Sequence, residues 1–221
     1  MKLTLDAILF DFDGTLAPNL DLPDMRRQII ALTKQHRVPE HYFDGRYIVE
    51  VIDAAAEFLR GKSDSSASTY YEAAHALILD IELNAAARTD PFPGVAEMLT
   101  SLHTKGIKTG IVTRNCRAAV LTVFPDLLEH VDALHARDDT DFLKPDKRHI
   151  LTNLTCLKSA PDRAAIVGDG ALDMHVGRTL DMTCIGVLTG SADRETLVAA
   201  GADIVLERCL DLAELDLFSL G

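Results

Sequence analysis

From Ile107 onward, short apolar runs alternate with amphipathic stretches almost to the end of the chain, and that alternation leaves few folds open. The runs are Ile107 to Val112, Val131 to His135, Ala164 to Val167, Thr183 to Leu188 and Asp203 to Leu206. Helical spacing of apolar residues marks the stretches around Gly94 to Lys105, Arg117 to Leu128, Lys147 to Leu157, Leu172 to Leu180 and Arg194 to Ala200. Repeated strand–helix units with right-handed crossovers place helices on both faces of one sheet, so the expected class is α/β with a doubly wound parallel sheet. Ala7-Ile8-Leu9-Phe10 supplies a first strand, and its unbroken apolar character reads as burial on both faces.

The distance from that strand to the next exceeds what a crossover requires, which is roughly a dozen residues or somewhat more. The intervening segment is therefore expected to be an insertion, giving a core of residues 1–16 and 91–221 and a small helical domain at 17–90. Tyr47/Ile48, Val51/Ile52, Ala55 and Phe58/Leu59 recur at steps of three and four, as do Tyr70/Tyr71, Ala74, Leu77/Ile78 and Ile81. A further helix around Met25 to Leu32 ends before Pro39. Thr69-Tyr70-Tyr71-Glu72 matches a capping box, which predicts a helix start at Thr69 after a loop from Lys62 to Ser68. Asp90-Pro91-Phe92-Pro93-Gly94 marks the return to the core as a hinge.

A chain of 221 residues can bury a full core. Its 22 Lys and Arg against 34 Asp and Glu give a net charge of −12, which argues against nucleic acid or anionic lipid as partner, and the absence of Trp removes a base-stacking platform. No apolar stretch reaches the length of a spanning helix, and Asp6, Asp11 and Asp13 interrupt the early hydrophobic segment, so a cytoplasmic protein without membrane association is expected. Cys116, Cys156, Cys184 and Cys209 are scattered without metal-ligand spacing and read as buried thiols.

Chemistry is expected at the strand ends. Asp11-Phe12-Asp13-Gly14-Thr15 sets two carboxylates beside a glycine turn directly after the first strand, where open α/β sheets bind ligands; an acidic turn is the plainer reading. Thr113, in Thr113-Arg114-Asn115 after the next strand, is suited to donate to an anion or to cap a helix. Lys144-Pro145 follows a charged loop and, taken alone, is surface. Gly168-Asp169-Gly170 ends another strand, with Asp173 placed either for the site or for the positive end of the following helix. If these strands are neighbours, Asp11, Asp13 and Asp169 meet at one edge, where carboxylates about 4 Å apart repel by roughly 4 kcal/mol at an effective dielectric of 20. Such a set requires a cation, and hard oxygen ligands suit Mg²⁺ shared with a substrate phosphate.

As an ordered set, Asp11-x-Asp13-Gly14-Thr15, Thr113, Lys144-Pro145 and Gly168-Asp169-x-x-x-Asp173 resembles the four motifs of the haloacid dehalogenase superfamily, on its phosphatase branch. The likeness covers the core, including Pro93-Gly94-Val95 and Gly186-Val187-Leu188-Thr189-Gly190, and is greatest to phosphoglycolate-phosphatase-like members with a helical cap. It implies a parallel core in the order 5-4-1-2-3, with room for one more strand, and a mobile cap. It also implies a Mg²⁺-dependent phosphatase acting on a small phosphorylated metabolite through an aspartyl-phosphate. By the same likeness Asp11 is the nucleophile, Asp13 the general acid and base, Lys144 the neutralising cation and Thr113 the phosphate-orienting hydroxyl. Asp11, the carbonyl of Asp13 and Asp169 hold the metal, Gly14 permits close backbone approach, Thr15 holds Asp13, and Asp173 acts through water or Lys144. Many relatives carry Asn directly after the motif threonine, so Arg114 and Asn115 both stand as substrate-contact candidates, and Gly170 replaces a frequent Ser or Thr.

Two alternatives share these residues: a phosphomutase of the β-phosphoglucomutase kind, and a signalling or binding module switched by phosphorylation of Asp11. Dehalogenase chemistry is disfavoured, because a departing halide needs no acid such as Asp13. Arg26, Arg27, His41, Arg46, Arg60 and Lys62 are the cap's available cations, none singled out, and His175 reads as a helix-surface or packed histidine.

Overall fold

The computed structural model describes residues 2–218. The chain divides into two compact units, Met1–Asn19 with Ala86–Gly221 and Leu20–Ala85. The strands are β1 (Lys2–Thr4), β2 (Ala7–Phe10), β3 (Lys108–Val112), β4 (Ala133–His135), β5 (Ala164–Gly168), β6 (Thr183–Val187), β7 (Ile204–Leu206) and β8 (Asp216–Phe218). The helices are α1 (Leu22–Gln35), α2 (Ile48–Arg60), α3 (Asp64–Ala86), α4 (Val95–Thr104), α5 (Arg117–Val123), α6 (Leu127–His130), α7 (Lys147–Leu157), α8 (Ala171–Arg178) and α9 (Arg194–Ala199).

In the larger unit six parallel strands form a sheet in the order β4-β3-β2-β5-β6-β7. With β2 taken as the first core strand this is the expected order, extended by β7 beside β6. Both faces are covered, which is why β2 is apolar throughout. Ile8 and Phe10 pack with Val95, Leu99 and Val120 on one side, and Ala7 and Leu9 pack with Ile150, Leu154 and Met174 on the other. Full burial of a large apolar side chain contributes about 1.5–3 kcal/mol, so each helix is fastened by several such residues. Register then positions the site: Phe10 lies opposite both Ile111 and Val167. Strands β2, β3 and β5 thus end level, and the residues that follow them emerge at one edge. Where the chain leaves and re-enters this unit, the Phe92 N–H donates to the Leu16 carbonyl at 2.8 Å.

The smaller unit consists of α1, α2 and most of α3. Met25, Ile29, Val51, Ile52, Ala55, Leu59, Tyr70, Ala74 and Ile78 share its core, and the Tyr70 and Thr33 hydroxyls meet at 2.8 Å between α3 and α1. Asp21 caps α1 by accepting from the Asp24 N–H at 2.9 Å.

Several expectations need correction. Helix α3 begins at Asp64 rather than Thr69. The Ala67 N–H already donates to the Ser63 carbonyl at 3.1 Å, and no Gly or Pro interrupts the polar run that read as a loop. The helix expected from Arg117 to Leu128 breaks at Phe124-Pro125 into α5 and α6, because an interior proline removes a donor and clashes with the preceding turn. A second, two-stranded parallel sheet pairs β1 with β8; three-residue strands show too little periodicity to be read from sequence. Cys156 is exposed, whereas Cys116, Cys184 and Cys209 are buried as expected. Among the described residues no helix is long and apolar enough to cross a membrane.

Candidate active site

Asp11 is the first residue beyond β2, and its N–H donates to the Val167 carbonyl at 2.9 Å, fixing it to the end of β5. Its Oδ1 lies 2.9 Å from Nζ of Lys144. That ammonium donates at 2.7 Å to Oδ1 of Asp173, in the first turn of α8. Lys144 is 1 % exposed, so the reading of it as surface fails. Burial alone would lower its pKa, yet Asp11 and Asp173 together hold it above the ordinary lysine value.

Asp11, Asp169 and Asp173 each present a carboxylate oxygen within 4.8 Å of the others. Burial, reinforced by the charges of Asp173 and Asp169, outweighs Lys144 and pushes the Asp11 carboxyl up to about 8. Burial likewise raises Asp173 against the pull of Lys144. Fully ionised, the three carboxylates together with the Lys144 ammonium carry a net charge of minus two, which matches a divalent cation, and oxygen donors fit Mg²⁺.

Asp169 follows β5 and is held in a cradle. Its Oδ2 accepts from the Ser191 N–H at 2.6 Å and from Nδ2 of Asn19 at 3.2 Å. A Cβ at Gly190 would lie 2.0 Å from that oxygen and one at Gly14 2.6 Å from it. Gly14 also has φ +77°, a left-handed conformation that glycine adopts without steric cost. The Thr189 hydroxyl donates to the Gly14 carbonyl at 2.6 Å, tying the turn after β6 to the turn after β2. Sequence reasoning missed Asn19 and Ser191; neither has a local signal, since their partner is 150 and 22 residues away.

Asp13 is held by Asn115. Nδ2 of Asn115 lies 3.2 Å from both Asp13 carboxylate oxygens. The Asn115 Oδ1 accepts from the Cys116 N–H at 2.8 Å, and this orients the amide with its donor toward Asp13. Thr113, buried at the end of β3, accepts the Asn115 N–H on Oγ1 at 3.1 Å and keeps its own O–H for donation. The Arg114 guanidinium donates to the Lys144 carbonyl. Thr15 was expected to hold Asp13, but its Oγ1 is buried with no hydrogen-bond partner among the described residues. Its backbone N–H is used in the turn, donating to the Phe12 carbonyl at 3.2 Å. His175 lies on the exposed face of α8.

The sequence model of the haloacid dehalogenase-like hydrolases matches residues 8–187. Among curated proteins, a phosphoglycolate phosphatase of Caulobacter vibrioides is 30% identical, the match covering 93% of this chain and 88% of the relative. The pyrophosphatase PpaX of Anoxybacillus flavithermus is 29% identical over 95% of this chain and 96% of its own. A β-phosphoglucomutase structure from Clostridium difficile shares the fold, with a TM-score of 0.68 at 18% identity over 95% of this chain and 93% of that one. With the family match running from β2 through β6 and including the edge where the acids meet, the chain belongs to the haloacid dehalogenase-like hydrolases.

Proposed function

We propose that the protein is a Mg²⁺-dependent phosphatase that hydrolyses a small phosphomonoester through an aspartyl-phosphate on Asp11. The observation that carries this reading is Lys144 buried between Asp11 and Asp173, with Asp169 completing an acidic cluster that lacks one divalent cation's worth of positive charge. Asp11 and Asp169, with the Asp13 carbonyl as the family likeness implies, would hold Mg²⁺. When bound, the ion would keep Asp11 ionised and offset the charge of the phosphoryl oxygens.

The chain's own groups divide the remaining work. Asp11 attacks phosphorus in line with the leaving oxygen, forming the acyl-phosphate bond as the ester P–O bond breaks. Asp13, aimed by Asn115, gives its proton to the departing alkoxide. It then takes one from the water that attacks phosphorus and restores the Asp11 carboxylate. Lys144 neutralises charge on Asp11 and on the transferring group, while the Thr113 hydroxyl donates to a phosphoryl oxygen. Residues 17–90 are assigned the role of a substrate-selecting cap.

A panel of phosphate esters with Mg²⁺ tests the reading, headed by phosphoglycolate and joined by the anhydride pyrophosphate, after the names of the two relatives. Phosphate release that vanishes in Asp11→Asn is expected. Absence of turnover with every ester, or activity that survives Asp11→Asn, refutes it. Isomer formation from a sugar phosphate without net phosphate release would instead mark a mutase.

A further inference from the structure

Lys144 bridges two carboxylates from the end of a flexible stem, so its place depends on how its main chain is held. Both neighbouring peptide groups are engaged. The carbonyl accepts from Arg114, and the N–H donates to Nδ1 of His149 at 3.2 Å. The other ring nitrogen, Nε2, lies 3.2 Å from the carbonyl of His135 at the end of β4. A main-chain N–H can only donate and a carbonyl can only accept, so these two partners require a neutral ring with its proton on Nε2. Burial, and then the nearby Lys144 ammonium, push the pKa of His149 down to about 3, in keeping with that form.

His149 is fully buried in the first turn of α7. One turn along the same face, Nδ2 of Asn153 donates to the Ile111 carbonyl at 2.9 Å and lies 3.0 Å from Nδ1 of His135. The start of α7 is therefore fastened by side chains to the ends of β3 and β4, where Thr113 and the loop to Lys144 begin. Packing alone does not call for an imidazole here, since an apolar side chain would fill the space without polar desolvation.

We propose that His149 is a positioning residue: its Nδ1 fixes the Lys144 main chain, and through it the ammonium between Asp11 and Asp173. The kinetic part of this proposal rests on the phosphatase reading. The two ring bonds can be separated by substitution. In His149→Asn the amide oxygen stands near the place of Nδ1 and accepts from Lys144; in His149→Gln the amide nitrogen stands near the place of Nε2 and serves only His135.

With Mg²⁺ and the best ester of the panel, His149→Gln and His149→Leu are expected to lower kcat about 100-fold with KM changed less than about threefold, and His149→Asn to recover at least about tenfold of that loss. Variants that melt earlier but keep kcat at a temperature where all are folded would overturn the proposal, as would equal kcat for the Asn and Gln variants. A readout independent of catalysis is the ¹⁵N spectrum of the wild-type imidazole at neutral pH, expected to show Nε2 protonated and Nδ1 bare. A ring protonated on Nδ1 overturns the proposal even in an active enzyme. If no ester is turned over, the phosphatase reading falls, and the spectrum together with hydrogen-exchange protection of the Lys144 N–H still decides whether the clamp exists.

Discussion

Replacing Lys144 with Met tests the electrostatics of the site apart from its packing, because the two side chains have similar length while only one carries charge. Lys144 lies 2.9 Å from Asp11 and 2.7 Å from Asp173. Removing one member of a buried ion set typically costs about 3–5 kcal/mol, since the remaining charges are left desolvated and uncompensated. The loss must depend on pH. The folded-state pKa of Asp11 is raised from 3.8 to about 8. Between those values the folded chain therefore binds more protons than the unfolded one, and this group's contribution to stability falls as pH rises. Without Lys144 the window extends further upward. In metal-free protein, urea unfolding followed by far-UV circular dichroism should show Lys144→Met losing about 3–5 kcal/mol at pH 9. At pH 6, where a proton on Asp11 relieves the repulsion, the loss should be smaller by at least about 1.4 kcal/mol, the equivalent of one pKa unit. An equal loss at both pH values, or one below about 1 kcal/mol, would refute the reasoning.

Gly190→Ala should weaken Mg²⁺ binding by about 10–100-fold in calorimetric titration, since its Cβ would lie 2.0 Å from Oδ2 of Asp169; unchanged affinity would remove Asp169 from the metal set. Asn115→Ala should lower kcat by about 10–100-fold through loss of the contacts that aim Asp13. Thr15→Val should leave kcat intact and change stability by no more than about 1 kcal/mol, because the hydroxyl it removes has no partner among the described residues; a large fall in kcat would reinstate Thr15 as the support of Asp13. The folded-state pKa of His149 is depressed to about 3, so its contribution to stability is complete above the ordinary histidine value and is lost as pH falls below it. Wild type should accordingly lose up to about 1.4 kcal/mol per pH unit more than His149→Asn on going from pH 6 to pH 4; parallel curves would show that the ring is not buried as a neutral group.

The sheet is legible because buried parallel strands have to be apolar on both faces: β2 and β5 are apolar throughout, and β3 and β6 end on the buried runs Gly110-Ile111-Val112 and Cys184-Ile185-Gly186-Val187. Strand ends carrying Asp11, Thr113 and Asp169 pointed to one edge once parallel neighbours were assumed, and the register places them there. What the sequence concealed is the support of those groups. Asn115 and Thr15 are both polar residues in or near a motif, and only the fold shows that one faces Asp13 while the other is enclosed with no partner among the described residues. Asn19, Ser191 and His149 act through contacts made by tertiary packing rather than by spacing along the chain. The early start of α3 was hidden because Ser and Asp favour helix caps and loops as readily as a first turn, so composition could not decide between them.

The central claim is covalent chemistry at Asp11. Rapid acid quench of the enzyme turning over its best ester with Mg²⁺, followed by peptide mass spectrometry, should find phosphate on the peptide bearing Asp11, sensitive to hydroxylamine and absent from Asp11→Asn. Rapid turnover with no phosphorylated peptide at any quench time, or phosphate on a different residue, would contradict the account.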